Sequence, residues 1–322
     1  MKLGVIGAGN MGRAILSGIL ASGLITKDDI VASNRTEADR DKTEKLGVNV
    51  TGDNTDVARA ECVILAVKPA KLADVIHEIA PVVGTDTLIV SVAAGQSIAL
   101  IESLFGKPVQ VVRAMPNTPA LVREGMTALC ANNLVSEESF AWVQALFATC
   151  GRVEVIPESL MGAAGTVSGA SPAWVYMLIE AMADGAVRDG MPRAQAYKFA
   201  AQAVQGAAKM VLESGLHPGE LKDQVTSPGG TTIEAVRVLE ERGFRGAVID
   251  AMGACTAKND WCSRSAEMIT SLGRSWKRWS KAPAKAVGHS TMKVLMSSSA
   301  SSARTSPPSS RATRSSCARS RS

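Results

Sequence analysis

A chain of 322 residues is long enough for two globular domains. Aliphatic residues are plentiful and only 4% of residues are aromatic, a balance that is typical of α/β enzymes and excludes a fibrous protein. The net charge of +5 is uneven, because residues 261–322 hold 12 of the 35 basic residues and one of the 30 acidic residues. Residues 1–260 therefore carry 23 bases against 29 acids, and this acidic body argues against a nucleic-acid partner.

The cysteines and the hydropathy pattern indicate the compartment. No C-x-x-C pair and no metal-ligand spacing with histidine occurs, so we expect buried, reduced thiols and no metal site. The cysteines are Cys62, Cys130, Cys150, Cys255, Cys262 and Cys317. Because we find no secretion signal and no apolar run of about 18 residues, we expect no membrane association and a cytoplasmic location.

Short β-branched segments alternate with helical patterns over residues 2–155, which predicts a Rossmann-type doubly wound parallel sheet. The predicted strands are Leu3–Ile6, Ile30–Ser33, Cys62–Val67, Thr87–Val92, Val109–Ala114, Met126–Ala131 and Val153–Ile156. The predicted helices between them are Met11–Ser22, Glu37–Leu46, Leu72–Ile79, Ile98–Phe105 and Glu137–Thr149. Right-handed crossovers would bring the loops that follow the parallel strands to one edge of the sheet.

The strand patterns stop near Pro157, and the chain continues as helices. We therefore predict a nucleotide-binding domain over residues 1–158 and an all-helical substrate and dimerisation domain over 159–260. The predicted helices Ala173–Asp189 and Arg193–Ser214 are apolar on more than one face. A homodimer or higher homo-oligomer would bury that surface.

Residues 261–322 form a basic segment of low complexity, in which 18 of 62 residues are Ser. Such a composition cannot bury enough apolar area to offset chain entropy, so we expect a disordered tail. A frame-shifted read-through of the nucleotide sequence is the alternative, and an RNA- or membrane-binding arm is a third interpretation.

The first predicted strand leads into a G-x-G-x-x-G motif that opens a helix, which is the context of a dinucleotide-binding turn. The motif is Gly7-Ala8-Gly9-Asn10-Met11-Gly12. Gly7 permits the tight turn, Gly9 lets the backbone approach a pyrophosphate, and Gly12 allows the helix to pack closely on the sheet. We predict that all six residues bind the cofactor.

The end of the second strand distinguishes between nicotinamide cofactors. An acidic residue there would bind the ribose hydroxyls of NAD and repel a 2′-phosphate, but this chain has Ser33, Asn34 and Arg35. An arginine can pair with the phosphate, and the neighbouring side chains add neutral donors. The sequence therefore favours NADPH, with NADH as the alternative cofactor.

Two further segments are expected beside the cofactor. The third predicted strand, Cys62–Val67, leads into Lys68 and Pro69. Ala66, Val67, Lys68 and Pro69 would line the nicotinamide half of the site, with Lys68 as a cofactor contact rather than a general acid. Asn54 precedes a short helix and is either a ribose contact or a helix N-cap.

A Pro-Gly-Gly turn runs directly into an amphipathic helix in the segment Thr226–Thr232. Such a turn delivers free N–H groups and hydroxyls to a helix start, which is typical of an anion site. Thr231 and Glu234 also fit a T-x-x-E capping box, so part of this pattern could serve the helix alone.

Four of these motifs resemble pyrroline-5-carboxylate reductase, and the resemblance spans residues 1–260. The motifs are Gly7–Gly12, Ala66–Pro69, Met115–Pro119 and Leu221–Thr232. The resemblance implies reduction of 1-pyrroline-5-carboxylate to L-proline with NAD(P)H, at a site between the nucleotide domain and the helical domain of a partner subunit. The tail from Trp261 has no counterpart in the family's pattern.

The resemblance also implies the roles of the residues in the last of these motifs, Leu221–Thr232. The substrate carboxylate would bind the amides of Gly230, Thr231 and Thr232 and the hydroxyl of Ser227. Thr232 would be the catalytic residue, with its hydroxyl on the ring nitrogen.

Two other functions fit parts of the sequence. A β-hydroxyacid dehydrogenase would need a proton-transferring Lys early in the second domain, but no Lys occurs between Lys107 and Lys198. A catalytically inactive NADP-binding module would not need the intact segment Ser227–Thr232.

Overall fold

The computed structural model describes residues 1–259, so the predicted tail, with Cys262 and Cys317, lies outside the described residues. Residues 3–155 form one sheet with the strand order β3-β2-β1-β4-β5-β6-β7-β8. The strands are β1 (Leu3–Ile6), β2 (Ile30–Ser33), β3 (Asn49–Thr51), β4 (Cys62–Leu65), β5 (Leu88–Ser91), β6 (Gln110–Met115), β7 (Gly125–Ala131) and β8 (Gly151–Val155). The sequence did not predict the three-residue strand β3, which forms an edge of the sheet.

All neighbouring strands are parallel except β6 and β7, which pair antiparallel. The connection between Met115 and Gly125 contains only the 3-10 helix Thr118–Val122. This connection is too short for a crossover helix, so β7 returns in the opposite direction. The predicted Rossmann-type fold is confirmed as a sheet dominated by parallel pairs.

Helices cover both faces of the sheet. They are α1 (Asn10–Ser22), α2 (Glu37–Glu44), α3 (Asn54–Val57), α4 (Pro69–Ile79), α5 (Ile98–Phe105) and α6 (Glu137–Ala148). Every residue of β1, β4 and β5 is buried, as expected for central parallel strands. Two apolar clusters result, one centred on Leu65, Ile76 and Ile101 and the other on Ile15, Ile64 and Phe147.

The chain continues as helices after β8, which confirms the predicted all-helical second part. The helices are α7 (Met161–Ala164), α8 (Ser171–Arg188), α9 (Arg193–Ser214), α10 (Pro218–Gln224), α11 (Thr231–Glu241) and α12, which covers residues 244–259 of the described chain. A π-helical turn, Gly165–Ala170, connects α7 to α8.

In this turn the carbonyl of Ser168 lacks one helical donor, because a proline follows four residues later. Pro172 has no N–H, so it cannot donate to the carbonyl of Ser168 four residues earlier. Asn117, in the connection between β6 and β7, donates its Nδ2 to that oxygen at 2.9 Å. The Oδ1 of Asn117 accepts from Met126 N at 2.8 Å, so this side chain ties the sheet to the π-helical turn.

The helices after β8 leave much apolar surface uncovered in the single chain. In α9, only Ala196 and Ala200 are buried among 22 residues. Large apolar side chains are exposed on this part of the chain, among them Tyr176, Met177, Phe199, Leu212 and Ile249. Exposed apolar side chains in this number are typical of a protein interface.

Candidate functional site

The glycine-rich turn lies at the carboxyl end of β1. Gly7 has a φ of +82°, and the N–H groups of Gly7 and Ala8 donate to Ser33 O at 3.0 and 3.2 Å. α1 then begins with Gly9 as its N-cap, with no side-chain cap and no acidic residue in its first turn. The first N–H groups of α1 are therefore open to an anion, and the helix dipole favours negative charge there.

The space around the glycines matches the predicted cofactor turn. An added Cβ at Gly7 would overlap Val67, and one at Gly12 would lie 3.4 Å from the Cβ of Ala66. The segment Ala66–Val67 thus packs directly against the turn. At Gly9 the nearest atom to an added Cβ is 3.9 Å away, so this side of the turn is open to a ligand.

The segment after β2 meets the same edge of the sheet. Ser33 and Asn34 are buried, whereas Arg35 is exposed and forms no ion pair with any residue in the described range 1–259. Arg40 Nη1 donates to the carbonyls of Asn34 and Arg35 at 3.2 and 3.3 Å and so holds the backbone of this turn. The guanidinium of Arg35 is thus exposed beside this turn, and its contact with a phosphate stays a prediction.

Asn54 does not cap a helix, so that interpretation is wrong. The N-cap of α3 is Asp53, whose side chain accepts from Thr55 N at 2.7 Å. The hydrogen bonds that Thr55 donates, from its hydroxyl first, hold the pKa of Asp53 below its ordinary value. Asn54 instead accepts from Ser33 Oγ at 2.7 Å and donates to Glu78 Oε2 at 2.9 Å. It therefore lies beside the loop that follows β2.

The segment after β4 continues into α4. Lys68 is the N-cap of α4 and Pro69 its first residue, a position that suits proline because the missing N–H would have had no helical partner. Lys68 is exposed and makes no side-chain cap, while Ala66 and Val67 are partly buried. The structure thus brings the residues after β1, β2 and β4 to one edge of the sheet, and their contacts with a cofactor stay predictions.

The start of α11 differs from the sequence prediction. Gly230 is its N-cap, with extended backbone, and no side chain caps the helix. Thr231 is already inside the helix, and Glu234 pairs with Arg237 at 2.9 Å. The predicted capping box of Thr231 and Glu234 is therefore wrong, because the two-glycine turn places the helix start one residue earlier than the box requires.

The turn before α11 is held by local hydrogen bonds. Thr226 Oγ1 lies 3.1 Å from both Lys222 O and Asp223 O, and Gly230 N donates to Ser227 O at 3.0 Å. An added Cβ at Gly230 would overlap Ser227 Oγ, so this hydroxyl lies against the start of the helix. The N–H groups of Thr231 and Thr232 are open beside it, and both threonine side chains are exposed.

The hydrogen bonds of this segment do not reach the glycine-rich turn, and α11 has no buried residue in the single chain. The structure therefore groups the predicted site residues into two sets. One set lies at the edge of the sheet, and the other, Ser227–Thr232, lies on the exposed helical part.

The described cysteines are free thiols. Cys62, Cys130 and Cys150 are buried, which confirms the expected burial for these three, whereas Cys255 is only partly buried. Burial raises the pKa of Cys130 to about 11, with Glu158 as a further cause. Residues 1–259 contain no cluster of metal-ligating side chains and no helix long and apolar enough to cross a membrane.

Sequence reasoning missed three side chains that hold the site in shape. Glu158 Oε1 accepts from Ile98 N at 2.8 Å and from Arg113 Nη1 at 2.9 Å, and so fixes the start of the helical part to β6 and α5. Asn117 and Arg13 were missed as well. Arg13 directly follows the last glycine of its motif and Asn117 lies in the motif Met115–Pro119, and these positions could have pointed to them.

Comparisons with known proteins match two parts of the chain to family models. A model described as pyrroline-5-carboxylate reductase dimerisation matches residues 158–261. A model described as NADP oxidoreductase, coenzyme F420-dependent, matches residues 2–95.

Relatives match over most of the chain. Pyrroline-5-carboxylate reductase of Escherichia coli is 51% identical over 266 residues, which cover 82% of this chain and 99% of the relative. The enzyme of that name from Methanosarcina acetivorans is 42% identical over 253 residues, covering 78% of this chain and 94% of the relative.

Solved structures agree. A pyrroline-5-carboxylate reductase of Coxiella burnetii has a TM-score of 0.76 at 35% identity, covering 80% of this chain and 97% of that one. A Plasmodium falciparum pyrroline carboxylate reductase with NADP bound has a TM-score of 0.75 at 31% identity, covering 82% of this chain and 98% of that one.

The parallel sheet with its uncapped glycine-rich turn, followed by a helical dimerisation domain, defines a dinucleotide-dependent oxidoreductase of the Rossmann type. Within this class, the chain belongs to the pyrroline-5-carboxylate reductase family.

Proposed function

We propose that the chain reduces L-1-pyrroline-5-carboxylate to L-proline with NADPH, the last step of proline biosynthesis. The observation that carries the proposal is the uncapped start of α11, where open N–H groups meet the hydroxyl of Ser227. A carboxylate is the anion that this substrate presents, and a helix start with free N–H groups binds it without a charged side chain.

The residues at the edge of the sheet fit a bound dinucleotide. Any side chain at Gly7 would overlap Val67, and the first turn of α1 offers N–H groups without a competing acid. These groups would bind the pyrophosphate, Asn54 the ribose, and Arg35 the 2′-phosphate, with Ser33 and Asn34 alongside. When bound, NADPH supplies a hydride from C4 of its nicotinamide.

The start of α11 would orient the substrate. Gly230 N already donates to Ser227 O, which leaves the amides of Thr231 and Thr232 for the carboxylate. Gly230 contributes by having no side chain. The hydroxyl of Thr232 would hydrogen-bond the ring nitrogen as its positive charge disappears, which stabilises the transition state more than the bound substrate.

The reaction makes small demands on acid catalysis. The substrate's C=N group, protonated by water, accepts hydride at carbon and becomes the secondary amine of proline. Positioning of the iminium carbon is therefore the main task of the protein. No histidine is required, and α7, the π-helical turn and α8 contain no lysine that could serve a hydroxyacid dehydrogenase.

The proposal includes a homo-oligomer in the cytoplasm. The exposed apolar residues of α8, α9 and α12 would pack against a second copy, which would also bring Ser227–Thr232 of one subunit to the nucleotide edge of its partner. The buried, reduced thiols support a reducing compartment.

A substrate panel tests the proposal. NADPH oxidation is followed with pyrroline-5-carboxylate and, in parallel, with a series of 2- and 3-keto acids. We expect NADPH oxidation with pyrroline-5-carboxylate and none with the keto acids. Turnover of a keto acid without turnover of the imine would replace this proposal with a hydroxyacid dehydrogenase.

A further inference from the structure

Arg13 follows the last glycine of the cofactor turn, and its side chain lies largely inside the protein. The side chain is only 18% exposed, although the residue stands in the first turn of a helix at the sheet edge. Its backbone N–H donates to Gly9 O at 2.9 Å, as the helix requires. The side chain therefore does not extend into solvent, where an arginine without a partner would lie.

The guanidinium of Arg13 bonds to both sides of the glycine-rich turn. Nη1 donates to Ala8 O at 2.8 Å and Nη2 donates to Asn10 Oδ1 at 3.0 Å. These contacts brace the backbone whose N–H groups would face the pyrophosphate. A planar guanidinium can hold two acceptors in one fixed arrangement, which a lysine cannot do.

The same guanidinium reaches α2. Arg13 Nη1 lies 3.7 Å from Asp39 Oδ1, and Asp39 Oδ2 accepts from Thr36 Oγ1 at 2.8 Å. Thr36 is the N-cap of α2 and the residue directly after Arg35. The hydrogen bond from Thr36, with Lys42 and Arg13 as weaker causes, holds the pKa of Asp39 below its ordinary value, so the carboxylate stays ionised at neutral pH.

We propose that Arg13 is a positioning residue that couples the glycine-rich turn to the Arg35 turn through Asp39 and Thr36, and so contributes to discrimination between NADPH and NADH. The inference rests on the proposed use of NADPH. Arg13 braces the turn that both cofactors share, whereas Asp39 holds the segment that only a 2′-phosphate would contact. Loss of Arg13 should therefore weaken NADP⁺ binding more than NAD⁺ binding.

The test measures dissociation constants for NADP⁺ and NAD⁺ by calorimetry, without substrate, on the full chain and its variants. For Arg13→Ala we expect the NAD⁺ to NADP⁺ ratio of dissociation constants to fall about 3- to 30-fold, the range typical of coupled polar contacts. Asp39→Asn should lower the ratio similarly and leave NAD⁺ binding unchanged. In the double variant the ratio should fall no further than in Arg13→Ala, because both substitutions act through one connection.

Two further variants distinguish the proposed coupling of the two turns from a general structural role of Arg13. Arg13→Lys keeps the charge but cannot hold both acceptors, so its ratio should be intermediate. Lys42→Ala is the matched control, since Lys42 also pairs with Asp39, at 3.8 Å, but contacts neither turn. Its ratio should equal that of the unaltered chain.

The results that would overturn the inference are distinct from those that concern the substrate. An equal loss of NADP⁺ and NAD⁺ affinity in Arg13→Ala, or an unchanged ratio in Asp39→Asn, would contradict the coupling. If the unaltered chain did not prefer NADP⁺, the proposed cofactor and this inference would both be wrong. A chain that shows the expected ratios but does not reduce pyrroline-5-carboxylate would contradict only the proposed substrate.

Discussion

Gly230 N donates to Ser227 O at 3.0 Å, and a Cβ on Gly230 would overlap the hydroxyl of Ser227. The turn before α11 is thus closed so tightly that a side chain at the N-cap would have to displace the hydroxyl of Ser227. Gly229 has a φ of +68°, which also favours glycine. Both glycines are explained by the geometry of the turn, and the result is a helix start that no side chain covers.

A Gly230→Ala substitution should weaken substrate binding with little effect on folding. The added methyl group would displace Ser227 Oγ from the helix start, and the charge-assisted contacts at stake are worth about 1.5–3 kcal/mol. We expect kcat/KM for pyrroline-5-carboxylate to fall about 10- to 100-fold. Steady-state kinetics and thermal melts measure this, with Gly84→Ala as the control, because an added Cβ there has ordinary contacts. An unchanged KM in Gly230→Ala would contradict the proposed carboxylate site.

The two threonines at the start of α11 should differ in kinetics and not in stability. Because neither caps the helix, Thr231→Ala and Thr232→Ala should both melt within about 2 °C of the unaltered chain. Thr232→Ala should lower kcat about 10- to 100-fold, since the lost hydrogen bond strengthens toward the transition state. Proline should still inhibit, because the amides that hold its carboxylate remain. Early melting of Thr232→Ala with normal kcat would assign that residue a structural role instead.

Arg35→Ala should reduce the preference for NADPH. The exposed guanidinium has no competing ion pair in the described chain, so a well-made contact with the 2′-phosphate would contribute about 1.5–3 kcal/mol. We expect kcat/KM with NADPH to fall about 10- to 100-fold and that with NADH to stay constant. Arg152→Ala, an exposed arginine on the edge strand β8, is the control. Equal efficiency with both cofactors in the unaltered chain would contradict the prediction at once.

A chain that ends at residue 260 should keep its activity and melting temperature. The Escherichia coli relative is matched over 99% of its length by 82% of this chain. The cut also preserves the contacts of α12 with Thr166, whose Oγ1 lies 3.0 Å from Thr256 Oγ1 and 3.3 Å from Asn259 Nδ2. A second chain ending at residue 243 lacks these contacts and should melt earlier. Loss of folding or of oligomer formation in the longer chain would show that the tail is required.

The sequence predicted the parts of the fold whose signals are local. The glycine-rich turn and the strand patterns lie within short windows, and the edge at which their loops meet follows from the handedness of parallel connections. Asn117 could not be predicted in the same way, because its partner Ser168 is 51 residues away in the sequence. The capping box was predicted wrongly for a different reason. A capping box makes Thr231 the N-cap, whereas the two-glycine turn makes it the first residue of the helix, so the two patterns place the helix start one residue apart.

The transfer of deuterium from C4-deuterated NADPH of the appropriate stereochemistry tests the central claim most directly. The chain is incubated with pyrroline-5-carboxylate, and the product is analysed by mass spectrometry and NMR. The proposed reaction predicts L-proline that is one mass unit heavier, with the deuterium on the ring carbon next to nitrogen and distant from the carboxylate. Deuterium on the carbon that bears the carboxylate, or no labelled proline from either C4-deuterated form of NADPH, would contradict it.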